Sequence, residues 1–266
     1  MPSRYSIKGE VKMTKIILCG CNGKMGNVVV NSVKENSDCE ILCGVDAFGT
    51  NSYDFKTYKS FSEIEEKGDV IIDFSNPANL DDLLSYVLKN SVPSVICTTG
   101  YSPEQVEKIK EAGEKIAVFY SGNMSLGVNL LIELSKQAAK VLGSSFDIEI
   151  IEKHHNLKVD APSGTALMIA DGISEELEQE PQYVYDRHSY RRKRSKNEIG
   201  IHAVRGGTIV GEHDVIFAGH DEVVTLSHQS QSKGLFATGA VNAAIFLKDK
   251  PAGMYNMSMM LAEKLG

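Results

Sequence analysis

Lys15-Ile-Ile-Leu-Cys-Gly-Cys-Asn-Gly-Lys-Met-Gly26 joins an apolar run to a glycine-rich turn. Lys15–Cys19 reads as a buried strand, Gly20–Gly26 as the turn and Asn27–Asn36 as the helix that follows. Glycines at 20, 23 and 26 let the backbone approach a pyrophosphate, which then rests on the N–H groups of the helix start. The spacing is G-x-x-G-x-x-G, and turns of this kind also serve plain strand–helix packing. A second strand, Glu40–Val45, ends at Asp46, about twenty residues beyond the turn, where an acid accepts hydrogen bonds from a ribose diol. Turn and acid together predict a nicotinamide dinucleotide cofactor. Ala47 follows the acid. With no Arg there to hold a 2′-phosphate, and a carboxylate to repel it, NADH is expected to serve at least as well as NADPH.

The same rhythm continues outward. Val70–Phe74, Ser94–Thr98 and Ile116–Tyr120 read as strands, and helices are expected over Asn79–Lys89 and after Pro103. Strand and helix alternating in this way mean parallel βαβ units. Thr98-Thr99-Gly100 and Ser121-Gly122-Asn123-Met124 end two of these strands, at the edge where open α/β sheets bind ligands; ordinary turn chemistry accounts for them equally well. After Asn123 the pattern changes. Val128–Leu142 has helical spacing, Phe146–Ile151 alternates as a strand, and Gly164–Glu180 reads as a helix closed by Pro181. Strand-like runs follow around Ile199–Arg205, Asp214–Ala218 and Glu222–Ser227, then helices over Phe236–Leu247 and Met254–Leu265. The expected fold is α/β. A Rossmann-type doubly wound parallel sheet occupies residues 1–125 and is completed by 235–266. A C-terminal α+β domain with an open mixed sheet, over 126–234, binds substrate and carries the oligomer contacts. An open sheet must cover a face, and self-association is one way to do so.

A chain of 266 residues with 42% hydrophobic content supports a sizeable core and argues against general disorder. A net charge of −7 argues against nucleic acid as the main partner. No apolar run reaches the length of a membrane span, and the absence of a secretory h-region points to the cytoplasm. The residues before Met13 are polar, so Met13 is expected to be the natural start, or the first residues a loose tail. Cys19, Cys21, Cys39, Cys43 and Cys97 form no C-x-x-C pair; reduced, buried thiols are expected and no metal site.

The chemistry concentrates in Glu152-Lys-His-His-Asn-Leu-Lys-Val-Asp-Ala-Pro-Ser-Gly-Thr-Ala166. Imidazoles move protons near neutral pH, an ammonium binds or protonates an anion, and a Ser-Gly-Thr helix entry presents N–H groups to a carboxylate. Taken singly, a histidine is usually structural, Lys158 a solvated charge and Pro162–Thr165 a helix cap. Together they suit a small dicarboxylate. His154 and Lys158 would supply protons, His155 or Lys158 would hold one carboxylate, and the N–H groups of Gly164 and Thr165 the other. The basic run Arg187–Lys196 reads as a mobile solvated loop, with steering of anionic ligands as the alternative.

GCNGKMG, CTTGYS, SGNMSLGVN and above all EKHHNLKVDAPSGTA resemble the 4-hydroxy-tetrahydrodipicolinate (dihydrodipicolinate) reductase family from Lys15 to near the C-terminus. The resemblance implies reduction of a cyclic dicarboxylate imine by NADH or NADPH in diaminopimelate and lysine biosynthesis, by a homotetramer. Its motifs place Gly20, Cys21, Asn22, Gly23, Lys24 and Met25 at the pyrophosphate and Asp46 at the adenosine ribose. Cys97, Thr98, Thr99, Ser121, Gly122, Asn123 and Met124 would lie along the cofactor. His154 matches a proton donor/acceptor and Lys158 a proton donor. His155, Gly164 and Thr165 match substrate contacts, with Ser163 beside them. Three positions depart from the family: it usually has glycine at Cys97, many members carry Arg at Ala47, and Lys233 stands near a position where Arg is expected and is assigned no role. Cofactor and substrate on different domains imply a hinge closure. Another small-molecule dehydrogenase, such as an amino-acid dehydrogenase, or a non-catalytic NAD-binding redox sensor fits the glycine turn as well. The histidine loop favours the reductase, because a sensor has no use for proton donors beside an anion cradle.

Overall fold

The computed structural model describes residues 13–49 and 53–265; the expectation concerning the first twelve residues lies outside them. Contacts divide the chain into two compact units. The first runs to Met124 and takes in Phe236–Lys264, and the second is Ser125–Leu235.

The first unit is built on β1 (Thr14–Cys19), α1 (Lys24–Lys34), β2 (Cys39–Val45), β3 (Lys56–Tyr58), β4 (Val70–Asp73), α2 (Leu80–Asn90), β5 (Ser94–Ile96), α3 (Pro103–Gly113) and β6 (Ala117–Tyr120). These six strands are parallel neighbours in the order β6-β5-β4-β1-β2-β3. Strands so placed are covered on both faces, which is why Ile16, Ile17, Leu18, Val70, Ile71 and Ile72 are apolar without alternation and fully buried. The order reverses between β1 and β4, so the crevice at the carboxyl ends of those strands is the ligand-binding edge of such a sheet. α3 starts on a reciprocal capping box: Ser102 Oγ accepts from the Gln105 N–H, and Gln105 Oε1 from the Ser102 N–H.

The second unit carries α4 (Leu126–Leu142), β7 (Asp147–His154), α5 (Gly164–Ser174), β8 (Gln182–Val184), β9 (Glu198–Arg205), β10 (Gly211–Ala218) and β11 (Val223–Ser230). Its mixed sheet runs β11-β10-β7-β9-β8, with β10 antiparallel to β7 and β11, and β9 parallel to β7 and β8. One face packs Ile148, Ile150, Ile199, Ile201, Val215 and Phe217 on the apolar sides of α4 and α5. The other face carries no helix of this unit. Residues such as Glu149, Lys153, His202, Asp214 and Ile216 alternate onto it.

The chain then returns through α6 (Gly234–Leu247), β12 (Gly253–Tyr255) and α7 (Met257–Leu265), and β12 adds to the first sheet in parallel beside β6.

Four expectations change. The strand expected over Phe146–Ile151 runs on to His154, so the first histidine ends a strand rather than opening a loop. The helix expected to reach Glu180 stops at Ser174, followed by two tight turns at Glu176 and Leu177. Glu175, Glu176, Glu178 and Glu180 would oppose the carboxyl end of the helix dipole. Met254–Tyr255 is strand, and the last helix begins only after Asn256, whose Oδ1 accepts from the Met259 N–H as its cap.

The basic run is not a solvated loop. Arg187 bridges Glu149 (2.8 Å) and the buried Glu198 (3.0 Å). Arg194 pairs with Asp147 (3.0 Å) and Glu149 (2.9 Å), and donates to the carbonyls of Ile148 and Glu198. His202 Nε2 lies 2.7 Å from the second Glu149 oxygen. The Glu149 side chain lies flat across Gly200, where a β-carbon would strike the carboxylate. These bonds hold the Glu149 and Glu198 carboxyls below the usual glutamate range against the burial that pushes them up.

Arg194→Ala should therefore destabilise the protein by about 2 kcal/mol, by loss of a partly buried multiple donor. Arg191→Ala, at an exposed position of the same run, should stay within about 0.5 kcal/mol. Urea denaturation of the two variants measures the difference.

Candidate functional site

In the first unit the glycine turn is set by backbone contacts. Gly20 has φ +77°, a left-handed conformation that favours glycine, and its N–H donates to Val45 O (2.8 Å). A β-carbon on Gly26 would collide with the carbonyl oxygens of Gly20 and Cys21, so α1 can approach the turn only through glycine. Gly23 caps α1 without a side-chain bond, and the first turn carries no acid. The helix start is thus left for an anion. Asp46 is already joined to the turn: Oδ2 accepts from the Asn22 N–H (2.9 Å) and Oδ1 from the Phe48 N–H (2.9 Å). Each carboxylate oxygen keeps a lone pair for a ribose hydroxyl. Asn22 Nδ2 donates to Phe48 O (2.7 Å), which fixes the segment beyond the acid. Ala47 is exposed there.

These features fit a dinucleotide, and the sequence-derived residues divide by what they offer it. Gly23 and Lys24 are exposed, Asn22 and Met25 half-buried. Cys21 is buried, its thiol packed toward Gly44 and pushed up to about 11 by burial and by Asp46, so only its backbone faces the turn. Cys97 and Thr98 are buried, and Thr98 Oγ1 accepts from the Ser75 N–H (2.9 Å). Thr99 and Gly122 are exposed, Ser121 and Asn123 half-buried, and Met124 buried. Ser121 Oγ donates to Asn123 O (3.2 Å). All five cysteines are free, buried thiols, and no group of three potential ligands for a metal ion occurs among the described residues.

In the second unit the histidine segment is organised by Glu152. The side chain is fully buried. Oε1 accepts from Arg205 Nη2 (2.7 Å) and the Ser163 N–H (2.9 Å), and Oε2 from Arg205 Nη1 (2.7 Å); His154 Nδ1 lies 2.7 Å from Oε2. Burial pushes this carboxyl up, but the bonds from Arg205, His154 and Ser163 outweigh it and hold the group below the ordinary glutamate value. His154 is 9% exposed and stands edge-on to His213 at 5.3 Å. His213 Nε2 lies 3.0 Å from Ser163 Oγ, which also accepts from the Ala166 N–H as the cap of α5. Ser163 is therefore buried and engaged, a support for the helix entry. Gly164 opens α5, exposed, with no atom within 4 Å of the place a β-carbon would take; Thr165 is half-buried beside it.

The intervening loop is pinned at several points. Asn156 donates to Gly207 O, Gly206 to His154 O, and Arg205 Nη2 to Asp160 O (2.6 Å). The Ala161–Pro162 peptide is cis. Lys158 Nζ pairs with Asp160 Oδ1 (2.8 Å), and that bond holds the Asp160 carboxyl below its usual value. Asp160 is thus a partner of the lysine. His155 is half-buried, with an Nδ1 that is buried and lacks a partner.

Sequence reading missed Glu152, Arg205 and His213. Glu152 lies two residues before His154 on a strand, hence on the same face, and register puts His213 directly opposite it. Arg205 ends β9 beside His154. Only the pairing of three strands reveals the group.

Comparison with known proteins was decided by two family models. "Dihydrodipicolinate reductase, N-terminus" matches residues 14–124, and "Dihydrodipicolinate reductase, C-terminus" matches 127–261. The chain belongs to the dihydrodipicolinate reductase family. Among reductases of this family, it is 53% identical over 245 residues to the 4-hydroxy-tetrahydrodipicolinate reductase of Caldanaerobacter subterraneus subsp. tengcongensis, covering 92% of this chain and 97% of that one. It is 49% identical over 249 residues to the enzyme of the same name from Clostridium tetani, covering 94% and 97%. A solved structure, the dipicolinate-bound dihydrodipicolinate reductase of Paenisporosarcina sp. TG-14, superposes with a TM-score of 0.76 at 26% identity over 92% of this chain and 97% of that one. Membership of the family, with the turn and sheet described above, makes this an NAD(P)-binding oxidoreductase.

The buried histidines give the site a stability signature. Burial first, then the neighbouring His154, lowers the His213 pKa from 6.5 to about 4; burial lowers His228 as well. The unfolded chain then binds more protons than the fold between those values. For His213, stability should be full above pH 6.5 and decline as pH falls toward about 4, by up to about 1.4 kcal/mol per pH unit. Calorimetric melting across this range should show the decline, and His213→Asn should flatten it.

Proposed function

We propose that this protein reduces 4-hydroxy-tetrahydrodipicolinate (dihydrodipicolinate) to tetrahydrodipicolinate in the diaminopimelate and lysine pathway, in the cytoplasm. The observation that carries the reading is the segment from Glu152 to Thr165. It sets a buried acid–imidazole pair, a loop lysine and the open start of α5 within one short stretch of chain. Loss of the C4 hydroxyl as water turns the 4-hydroxy compound into the conjugated dihydrodipicolinate; a reduced nicotinamide dinucleotide, held by its pyrophosphate at Gly20–Met25 and by its adenosine ribose at Asp46, would supply the hydride to C4 of that ring. The proton that completes the reduction goes to the neighbouring carbon. His154 and Lys158 are the residues we assign to that transfer, His154 as donor/acceptor and Lys158 as donor. His155, Gly164 and Thr165 would hold the carboxylates of the substrate, with Ser163 fixing the helix entry beneath them. Thr98, Thr99 and Ser121–Met124, at the carboxyl ends of β5 and β6, would line the cofactor. The exposed Ala47 beside Asp46 favours NADH, since nothing there is placed to neutralise a 2′-phosphate. The sheet face of the second unit that carries no helix supports a homotetramer.

Three measurements test these statements. Substrate made in situ from pyruvate and aspartate semialdehyde by the preceding enzyme should drive oxidation of NADH, with a higher kcat/KM than NADPH. Lys158→Ala should cut kcat by about 10²–10⁴-fold with NADH affinity nearly intact. Failure to oxidise either nucleotide removes the reading, and unchanged turnover removes Lys158 from the chemistry. Light scattering should give a mass of four chains, and Ile216→Lys, a charge in the middle of the uncovered face, should give a smaller species.

A further inference from the structure

Glu152 stands among hydrogen-bond donors. Arg205 supplies two and the Ser163 amide a third, distributed over both carboxylate oxygens, and His154 Nδ1 completes the set at 2.7 Å. A carboxylate offers about four acceptor positions and, when ionised, no donor. Two bonds to one guanidinium, inside a fully buried pocket, keep it ionised. The imidazole nitrogen that meets it must then carry the hydrogen. The opposite nitrogen, Nε2, points toward Gly211. A β-carbon there would sit 3.1 Å from Nε2, tighter than ordinary van der Waals contact, and 3.4 Å from Cδ2, so glycine keeps that edge of the ring open. His213, the other titratable group against this ring, meets it edge-on and is bonded to Ser163 instead.

We propose that Glu152 is the positioning residue of the proton-transfer site: it fixes His154 in the Nδ1–H form, so that Nε2 is the atom that exchanges a proton with the substrate, and Gly211 leaves that atom reachable. Arg205 is the second support, since it clamps Glu152 and also holds Asp160 O (2.6 Å), the residue whose side chain pairs with Lys158. One guanidinium thus ties both proton-handling side chains to a common frame. The inference rests on the assignment of His154 to proton transfer. A glutamine at 152 cannot reproduce the arrangement. It offers one acceptor oxygen where the donors surround two, and its NH₂ would face either His154 or Ser163. Facing His154, it forces the other tautomer.

Nitrogen-15 NMR of the intact protein labelled at histidine reads this directly, with the His154 signals assigned by their loss in His154→Asn. The neutral wild-type ring should be protonated at Nδ1. Glu152→Gln should show the Nε2–H form or a mixture, with kcat down by roughly 10²-fold and NADH affinity unchanged. Glu152→Asp, which keeps the charge, should recover part of kcat. Gly211→Ala should lower kcat/KM for the dicarboxylate while the tautomer stays as in the wild type. An Nε2–H ring in the wild type overturns the proposal whatever the variants do, and the measurement needs no variant of Glu152 to fold. Full turnover by His154→Asn with an Nδ1–H ring in the wild type overturns instead the assignment of His154 beneath it.

Discussion

One buried carboxylate sets the geometry of the second unit. Burying a charge is costly unless it is paired and hydrogen-bonded, and Glu152 is compensated from four directions. Each partner belongs to a different stretch of chain: the end of β7, the start of α5, and the end of β9, which in turn fixes the loop through Asp160 O. Removing the carboxylate would release the helix entry, the histidine and the loop together. This is why one buried acid governs where the histidine, the loop and the helix entry stand. The ion pairs on the opposite sheet face work in the same way on a smaller scale, with Glu149 gathering Arg187, Arg194 and His202.

The first unit achieves its order through the main chain. The turn is held by its own amides and by close approaches that only glycine allows, and Asp46 is bonded to the turn through the Asn22 N–H. The glycine turn and Asp46 are therefore one assembly before a ligand arrives. A ligand meeting such an assembly has little ordering left to impose.

Much of this was legible in the chain. The parallel sheet announced itself through runs such as VIID, which are buried on both faces, and the turn and its acid through spacing. The motif at 152–166 stood out because residue types with few structural reasons to cluster do so there. What stayed hidden depended on register. Glu152 looks like one more charged residue until β9 and β10 are laid beside β7, and the basic run looks like a solvated loop until Glu149 and Glu198 are found beneath it. Two boundaries failed, one for a local reason and one through a distant pairing. Helix-forming composition after Ser174 was overridden by acids at the wrong end of a dipole, and Gly253–Tyr255 was drawn into a strand by the free edge of β6.

The point where the chain leaves the first unit and the point where it comes back touch one another. Gly239, early in the returning α6, lies so close to the Met124 carbonyl that a β-carbon would collide with it. The last strand of the dinucleotide sheet, β12, is made only after this return. On the ribosome, where domains generally form from the amino end, the sheet begun first is thus completed last. Its edge at β6 stays open until the whole of the second unit has been synthesised. A chain cut before Gly253 would therefore leave that edge bare, open to pairing with a strand of another molecule.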